Sequence, residues 1–274
     1  MKMHVLDLGR LHLDSNIIVG GAVSATRSAP AQTTQWIEIP VSGYCIDHPD
    51  GRILFDLGCH PKAMGPGGRW QEHLQEICPY SGGEECDLPN RLEQLGLGPN
   101  DIRYAVISHL HNDHAGCVEF FRKTQLIVHE DEFSAAFRAY GLRQKESPYV
   151  LKDMAEWAKQ DLTWRLVERD EGDIELAEGV EILNLGVGHA WGMLALHLRL
   201  KELGSVILAS DAIYSRANYE PATRLPGFYI DGKGYKRAVD RIRQIATRHH
   251  GQVWFGHDAE QFAAVRKSTE GYYE

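Results

Sequence analysis

The sequence predicts an α/β fold of two β-sheets with helices packed outside them. Two observations point there. The order along the 274 residues is strands, helices, strands, helix, strand, with no compositional break, internal repeat, linker or low-complexity tract. The ends of four separate strands also carry His or Asp side chains that bind metal ions well, and α/β proteins place their ligands at strand ends. The chain is long enough to bury a sizeable core, and residues 1–274 read as one domain.

Residues 3–20 alternate apolar and polar types through His4-Val5-Leu6-Asp7 and Leu11-His12-Leu13, which predicts two short strands with a turn at Gly9. Residues 22–35, rich in Ala, Ser, Thr and Pro, read as a loop. Trp36 to Val41 and Tyr44 to Asp47 are strand-like, His48-Pro49-Asp50-Gly51 has turn chemistry, and Arg52 to Asp56 is the next strand. Residues 60–90 are dense in Gly and Pro, and irregular excursions of that length are usually functional or disordered. Leu88 to Leu95 reads as an amphipathic helix, stopped by Gly96 and Gly98-Pro99. Tyr104 to Ile107 is a short buried strand. Gln125 to His129 is a strand and Glu130 to Tyr140 a helix, whereas residues 141–170 are polar, with Trp157 and Trp164. Ile174 to Val180 and Glu181 to Leu185 form a hairpin, and Leu194 to Leu200 and Ser205 to Ala209 are strands. Gly234 to His249 is a helix, with Tyr235, Val239, Ile242, Ile245 and Ala246 near helical spacing. Gln252 to Phe255 is the last strand.

The densest chemistry follows the strand at 104–107. In Ser108-His109-Leu110-His111-Asn112-Asp113-His114-Ala115-Gly116, four metal-binding side chains fall within six positions. Residues two apart in an extended segment point the same way, so His109 and His111 can grip one ion. Asp113 and His114 are thrown to a neighbouring position as the chain turns, and Ala115 to Phe121 can open a helix. Imidazole with carboxylate suits zinc or another divalent first-row metal. Three further strand ends carry such residues: His189 after Leu185-Gly186-Val187-Gly188, Asp211 after Leu208-Ala209-Ser210, and His257 after Phe255-Gly256. Each is weak alone, and their repetition at one relative place is the signal. The other nine histidines, His60, His73, His129 and His197 among them, lack such context and read as surface or structural.

Composition narrows the function. Hydrophobic residues make up 43% and charged residues 24%, and the formal net charge is −9, which argues against a polyanionic partner such as nucleic acid. The N-terminal residues lack the apolar core of a signal peptide, and no run has the length of a membrane span. The five cysteines, odd in number and without C-x-x-C spacing, read as reduced thiols in a cytoplasmic protein, with Cys78 and Cys86 as the one candidate pair.

His109-x-His111-x-Asp113-His114 with His189, Asp211 and His257 resembles the metallo-β-lactamase superfamily over essentially the whole chain, and Phe55-Asp56-Leu57-Gly58 is similar to its Asp-x-Gly strand end. Within it, the turn at 108–116, Asp211-Ala212-Ile213-Tyr214 and Phe255-Gly256-His257-Asp258 resemble the N-acyl homoserine lactone lactonases, which open the lactone ring of bacterial quorum signals. The resemblance implies an αββα sandwich, two mixed sheets flanked by helices, as a single hydrolase domain. It implies two divalent metal ions, with Zn2+ as the default and Fe, Co or Mn fitting the same ligands. His109, His111 and His189 would hold the first ion and Asp113, His114 and His257 the second. Asp211 and a hydroxide would bridge them, and Asp56 would orient a ligand histidine. The bridging hydroxide would attack the lactone carbonyl, Tyr214 would donate to the oxyanion, and Asp113 would relay a proton to the leaving oxygen. Asn112 stands where some relatives carry a large apolar residue, which leaves the acyl preference open.

The expected partner is a small-molecule lactone, with no nucleic acid or membrane, and the chain is expected to be a monomer or homodimer. Ile17, Ile18, Met64, Trp70, Phe137 and Tyr140 are candidates for an acyl wall but read first as core. The alternative is another lactone, ester or thioester on the same site, such as a pyridoxine-derived lactone or a glyoxalase-type substrate. A nuclease would want a basic face, and a flavin-linked di-iron protein a Glu in the turn and a further domain. A module that binds lactone without turnover is the non-enzymatic reading.

Overall fold

The computed structural model describes all 274 residues. The chain begins with β1 (Lys2–Asp14), one strand where two were expected. Gly9 does not turn the chain. It takes a φ of 100° at a register shift between Asp7 and Arg10, so it marks a bulge in a continuous strand. A one-turn α1 (Ser15–Ile18) leads to the 22–35 loop and then to β2 (Trp36–Asp47), which merges two expected strands into one. β3 is Arg52–Phe55. The Gly/Pro-rich excursion is not all irregular: it holds α2 (Glu72–Ile77) and the two-residue β4 (Tyr80–Ser81), followed by α3 (Leu88–Gln94).

β5 (Ile102–Val106) precedes the histidine-rich turn, and β6 (Gln125–His129) runs directly into α4 (Glu130–Gly141). No α-helix opens at Ala115; only a single 3-10 turn forms at Val118–Phe120. The polar 141–170 stretch contains α5 (Leu151–Trp157) and β7 (Thr163–Val167). The C-terminal half continues through β8 (Ile174–Ala177), β9 (Val180–Gly186), β10 (Met193–Leu200), β11 (Gly204–Ser210), α6 (Arg216–Tyr219), α7 (Gly232–His249), β12 (Gln252–Phe255) and α8 (Ala259–Ala264).

The strands form a seven-stranded sheet, β4-β1-β2-β3-β5-β6-β7, and a five-stranded sheet, β12-β11-β10-β9-β8. Both are mixed: β3, β5, β6 and β7 run parallel and β1, β2 and β3 antiparallel in the first, while β11 pairs parallel with β12 and antiparallel with β10 in the second. The period-two alternation of each strand explains the layering. In β11, Val206 and Leu208 face the other sheet, and Ile207 and Ala209 face α7. In β6, Ile127 points between the sheets, and Leu126 and Val128 point to the outer helices. Three apolar clusters result: one between the sheets, and one under the helices on each outer face. This is the αββα sandwich that the resemblance implies. No helix is long and apolar enough to cross a membrane.

A candidate metal centre at the strand ends

The site is built at one edge of the sandwich. His109, His111, Asp113 and His114 follow the C-terminal end of β5, His189 follows β9, Asp211 follows β11 and His257 follows β12. Two backbone contacts lock the ends together: Leu194 N–H donates to Ser108 O at 2.9 Å across the two sheets, and His257 N–H to Tyr214 O at 2.7 Å joins the ends of β12 and β11 within one sheet. The turn packs backbone on backbone. A Cβ at Gly116 would lie 2.2 Å from His60 N, so a side chain there would push the turn off the 58–60 segment. Asp56 and Ser210 hold the left-handed conformation, with φ of 59° and 45°. Non-glycine residues rarely adopt it, and such strain concentrates at functional sites.

All seven ligand-type side chains are buried. They fall into three mutually close groups: His109, His111 and His189; His109, His114 and Asp211; and Asp113, His114 and His257. Asp211 stands between the outer two. Its Oδ2 lies 3.7 Å from His109 Nε2 and 3.3 Å from His189 Nε2, while Oδ1 lies 3.3 Å from His114 Nε2 and 3.0 Å from His257 Nε2. Asp113 Oδ2 faces His114 Nε2 at 3.3 Å and His257 Nε2 at 3.5 Å.

The outward ring nitrogens are already engaged. His109 Nδ1–H donates to Ser108 Oγ at 2.9 Å, His114 Nδ1–H to Asp56 Oδ2 at 2.9 Å, His189 Nδ1–H to Phe228 O at 3.3 Å and His257 Nδ1–H to Pro40 O at 2.8 Å. That arrangement fixes the rings and turns each Nε2 inward, as the supporting shell of a metal site does. Asp56 is the hub: it also accepts from Ser108 N at 2.8 Å, Ser108 Oγ at 3.0 Å and Ser210 Oγ at 2.8 Å. Inside the cluster, His109 Nε2, His114 Nε2 and Asp211 Oδ1 are buried without a hydrogen-bond partner. His111 Nδ1 and His189 Nε2 lie only 3.0 Å apart. Buried polar atoms are rarely left so, and a pair of cations among them satisfies every one. The residues present fit two metal ions.

Protonation follows the same division. Burial, then the neighbouring histidines, holds His109 and His111 well below the usual imidazole range, and burial lowers His189. Burial opposes charge on His114 and His257 too. There the facing carboxylates win, Asp113, Asp211 and Asp56 for His114 and Asp211 and Asp113 for His257, and both are raised. Burial pushes Asp211 up, but His257 and His114 outweigh it and leave its carboxyl well below the usual range. Tyr214 is raised well above an ordinary phenol by burial and then by Asp211 and Asp113, so it keeps its proton. Its ring lies 5.1 Å from that of His189 and 5.2 Å from that of His257.

Above the cluster opens a cavity of about 530 Å³. Its floor includes His111, Asp113, Asp211, Tyr214 and His257, and its walls include Leu11, Leu13, Ile17, Trp36, Ile39, Leu74, Ile77 and Phe228. Of the six wall candidates taken from sequence, only Ile17 lines it. Trp70 is buried in the core, Met64, Phe137 and Tyr140 pack against that core, and Ile18 borders a neighbouring, more polar depression. His73 belongs to the wall, although it carried no signal in the sequence. His60, His129 and His197 are buried and structural. The five cysteines, Cys78 and Cys86 included, stand unpaired. Ser108, Ser210 and Glu132, all buried beside the ligands, were missed. Ser108 and Ser210 each precede a ligand, which was the available clue, whereas Glu132 reads as one more acid on a helix.

The sequence matches the family described as the Metallo-beta-lactamase superfamily over residues 36–247. It is 49% identical over 273 residues to the N-acyl homoserine lactonase AiiB of Agrobacterium fabrum, an alignment that spans 100% of this chain and 99% of that protein. It is 29% identical over 271 residues to the N-acyl homoserine lactonase AiiA of Bacillus thuringiensis subsp. kurstaki, covering 98% of each. Among solved structures, an N-acyl homoserine lactone hydrolase with the product N-hexanoyl-L-homoserine at its catalytic metal centre superposes with a TM-score of 0.81 at 28% identity, covering 100% of this chain and 98% of that one.

Proposed function

The chain belongs to the metallo-β-lactamase superfamily, and from that premise we propose that it opens the lactone ring of N-acyl-L-homoserine lactones, as a single hydrolase domain of residues 1–274. The observation that carries the reading is Asp211, with one oxygen turned to His109 and His189 and the other to His114 and His257, on the floor of an apolar channel. His109, His111 and His189 would hold one metal ion, Asp113, His114 and His257 a second, and Asp211 both. Zinc suits this imidazole and carboxylate set, and iron, cobalt and manganese suit it as well. Such a pair of ions makes water a nucleophile at neutral pH and polarises a carbonyl.

The chain's own residues do the rest. The apolar walls bind the acyl tail and exclude water from the floor. Water adds to the lactone carbonyl, the ring C–O bond breaks, and the products are a carboxylic acid and an alcohol. Tyr214, still protonated, donates its O–H to the oxygen on which charge develops. Asp113, facing the channel, takes the proton that the adding water gives up and passes it to the departing ring oxygen. Asp56 holds the His114 ring through Nδ1. The protein acts in the cytoplasm on a small molecule, as a monomer or homodimer, without nucleic acid or membrane as partner. The experiment is lactone turnover by Asp211→Asn and by wild type with the metal content of each measured. Asp211→Asn is expected to lose metal and activity together, and full retention of both sinks the reading.

A further inference from the structure

Glu132 is fully buried, and its partners are backbone N–H groups and a phenol, not a basic side chain. Its Oε1 accepts from Leu110 N–H at 3.0 Å and its Oε2 from Trp191 N–H at 3.0 Å, with Gly192 N–H and the Tyr149 hydroxyl also turned to it. A buried carboxylate without a cation is costly unless its hydrogen bonds are good. Here the donors and a place in the first turn of the twelve-residue α4 favour the charge, but burial outweighs them and pushes the carboxyl up to about 7. The positions of its partners are what matter. Leu110 lies between His109 and His111, and Trp191 lies two residues beyond His189. One carboxylate therefore straps together the two loops that carry the three histidines of one group. Those loops need a strap, because they bring His111 Nδ1 and His189 Nε2 within 3.0 Å.

We propose that Glu132 is the positioning residue of the His109, His111 and His189 group, fixing the spacing of the two loops and so the affinity of that group for its metal ion. The proposal rests on the ligand reading above. Glu132 makes no hydrogen bond to Asp113, His114 or His257, and its two anchors flank the histidines of one group, so its effect falls first on one ion of the two. Glu132→Gln has one acceptor oxygen, and its amide NH2 meets a backbone N–H, so it cannot hold both loops. Loss of a partner of this kind typically weakens metal binding about 10–100-fold.

The test challenges the cobalt-loaded, full-length protein with graded chelator and measures retained metal by elemental analysis and by its visible spectrum. The wild type is expected to hold two equivalents. Glu132→Gln is expected to release one equivalent at about 10–100-fold lower chelator concentration and to keep the other as the wild type does. Equal weakening of both, or of neither, overturns the proposal. If Glu132→Gln does not accumulate as folded protein, Tyr149→Phe decides, since it removes one donor and no buried charge. Unchanged retention of both equivalents in Tyr149→Phe then overturns the proposal. His189→Ala separates the two readings. If His189→Ala still holds two equivalents, the ligand assignment fails; if it loses one while Glu132→Gln loses none, only the role of Glu132 fails.

Discussion

Tyr214 offers the sharpest test at the scale of a residue. Its phenol stays protonated because burial and the carboxylates of Asp211 and Asp113 all oppose ionisation, so it is a donor throughout the neutral range. Removing one oxyanion donor costs about 10²–10³ in rate. Tyr214→Phe should lose kcat by that factor while its metal content stays that of the wild type, and an unchanged kcat removes Tyr214 from the chemistry. The histidines make a second prediction, for metal-free protein. His114 and His257 are raised above 6.5 in the folded chain, so they contribute stability that is fully present below about 6.5 and lost as the pH rises through their folded values. His109, His111 and His189 are lowered, and their share is complete above the same point. Metal-free protein should therefore lose stability as the pH rises above about 6.5. Metal uptake, which needs neutral imidazoles, should release protons and tighten over that range. Melting midpoints of stripped and loaded protein against pH check this, and a stripped midpoint that climbs above neutrality contradicts it.

Among the elements, sequence located most strands but not their joins. Strand-like residues run on either side of Gly9 in β1 and Gly43 in β2, and a glycine in a strand reads equally as turn or bulge; only pairing with the neighbouring strand decides. α5 and β7 do not stand out in the polar 141–170 stretch because they are seven and five residues long, one of the three residues that α5 buries is Asp153, and β7 buries only Val167. The candidate ligands stood out because His and Asp recur at one relative place, the ends of strands, and the structure brings them together. The channel walls were not, since they come from β1, β2, α2 and the 228 loop, far apart in sequence.

The 60–79 segment illustrates the point. Arg69 clasps it to the body, with Nη2 2.9 Å and 3.1 Å from the Glu119 carboxylate and Nη1 3.3 Å from Asp153. His73, Leu74 and Ile77 of the same segment line the channel. Arg69→Met removes a shared hydrogen-bond donor, but His60 Nε2 still faces Glu119 at 2.9 Å and burial already pushes the Asp153 carboxyl well up, so that it can take a proton; the change should cost about 1–3 kcal/mol of stability. It should also raise KM more than it lowers kcat. Denaturant midpoints and kinetics measure both, and an unchanged KM in the destabilised variant frees the wall from the clasp.

The whole molecule is organised so that four strand ends from two sheets converge on one point, and the cost is a buried patch of like groups. Five imidazoles and two carboxylates at the sandwich edge are poorly matched without cations. Metal should therefore stabilise the fold as well as serve the chemistry. At free metal about 100 times Kd, binding to the native state alone adds about 2.7 kcal/mol per site, or roughly 5–10 °C in Tm. Chelation should remove that increment reversibly, and a Tm indifferent to chelator contradicts a structural share for the metals. The two-sheet architecture was legible from the order of elements, but the pairing of β4 onto β1 was not, since two residues carry no pattern.

The most direct measurement is acid release from N-acyl homoserine lactones of short, medium and long acyl chain, followed with a pH indicator, beside a chelated control. Rapid turnover that disappears on chelation and returns with added metal is the result expected of a lactone-opening centre built on Asp211. Metal-loaded protein that opens none of these lactones yet hydrolyses a thioester or phosphodiester would contradict it.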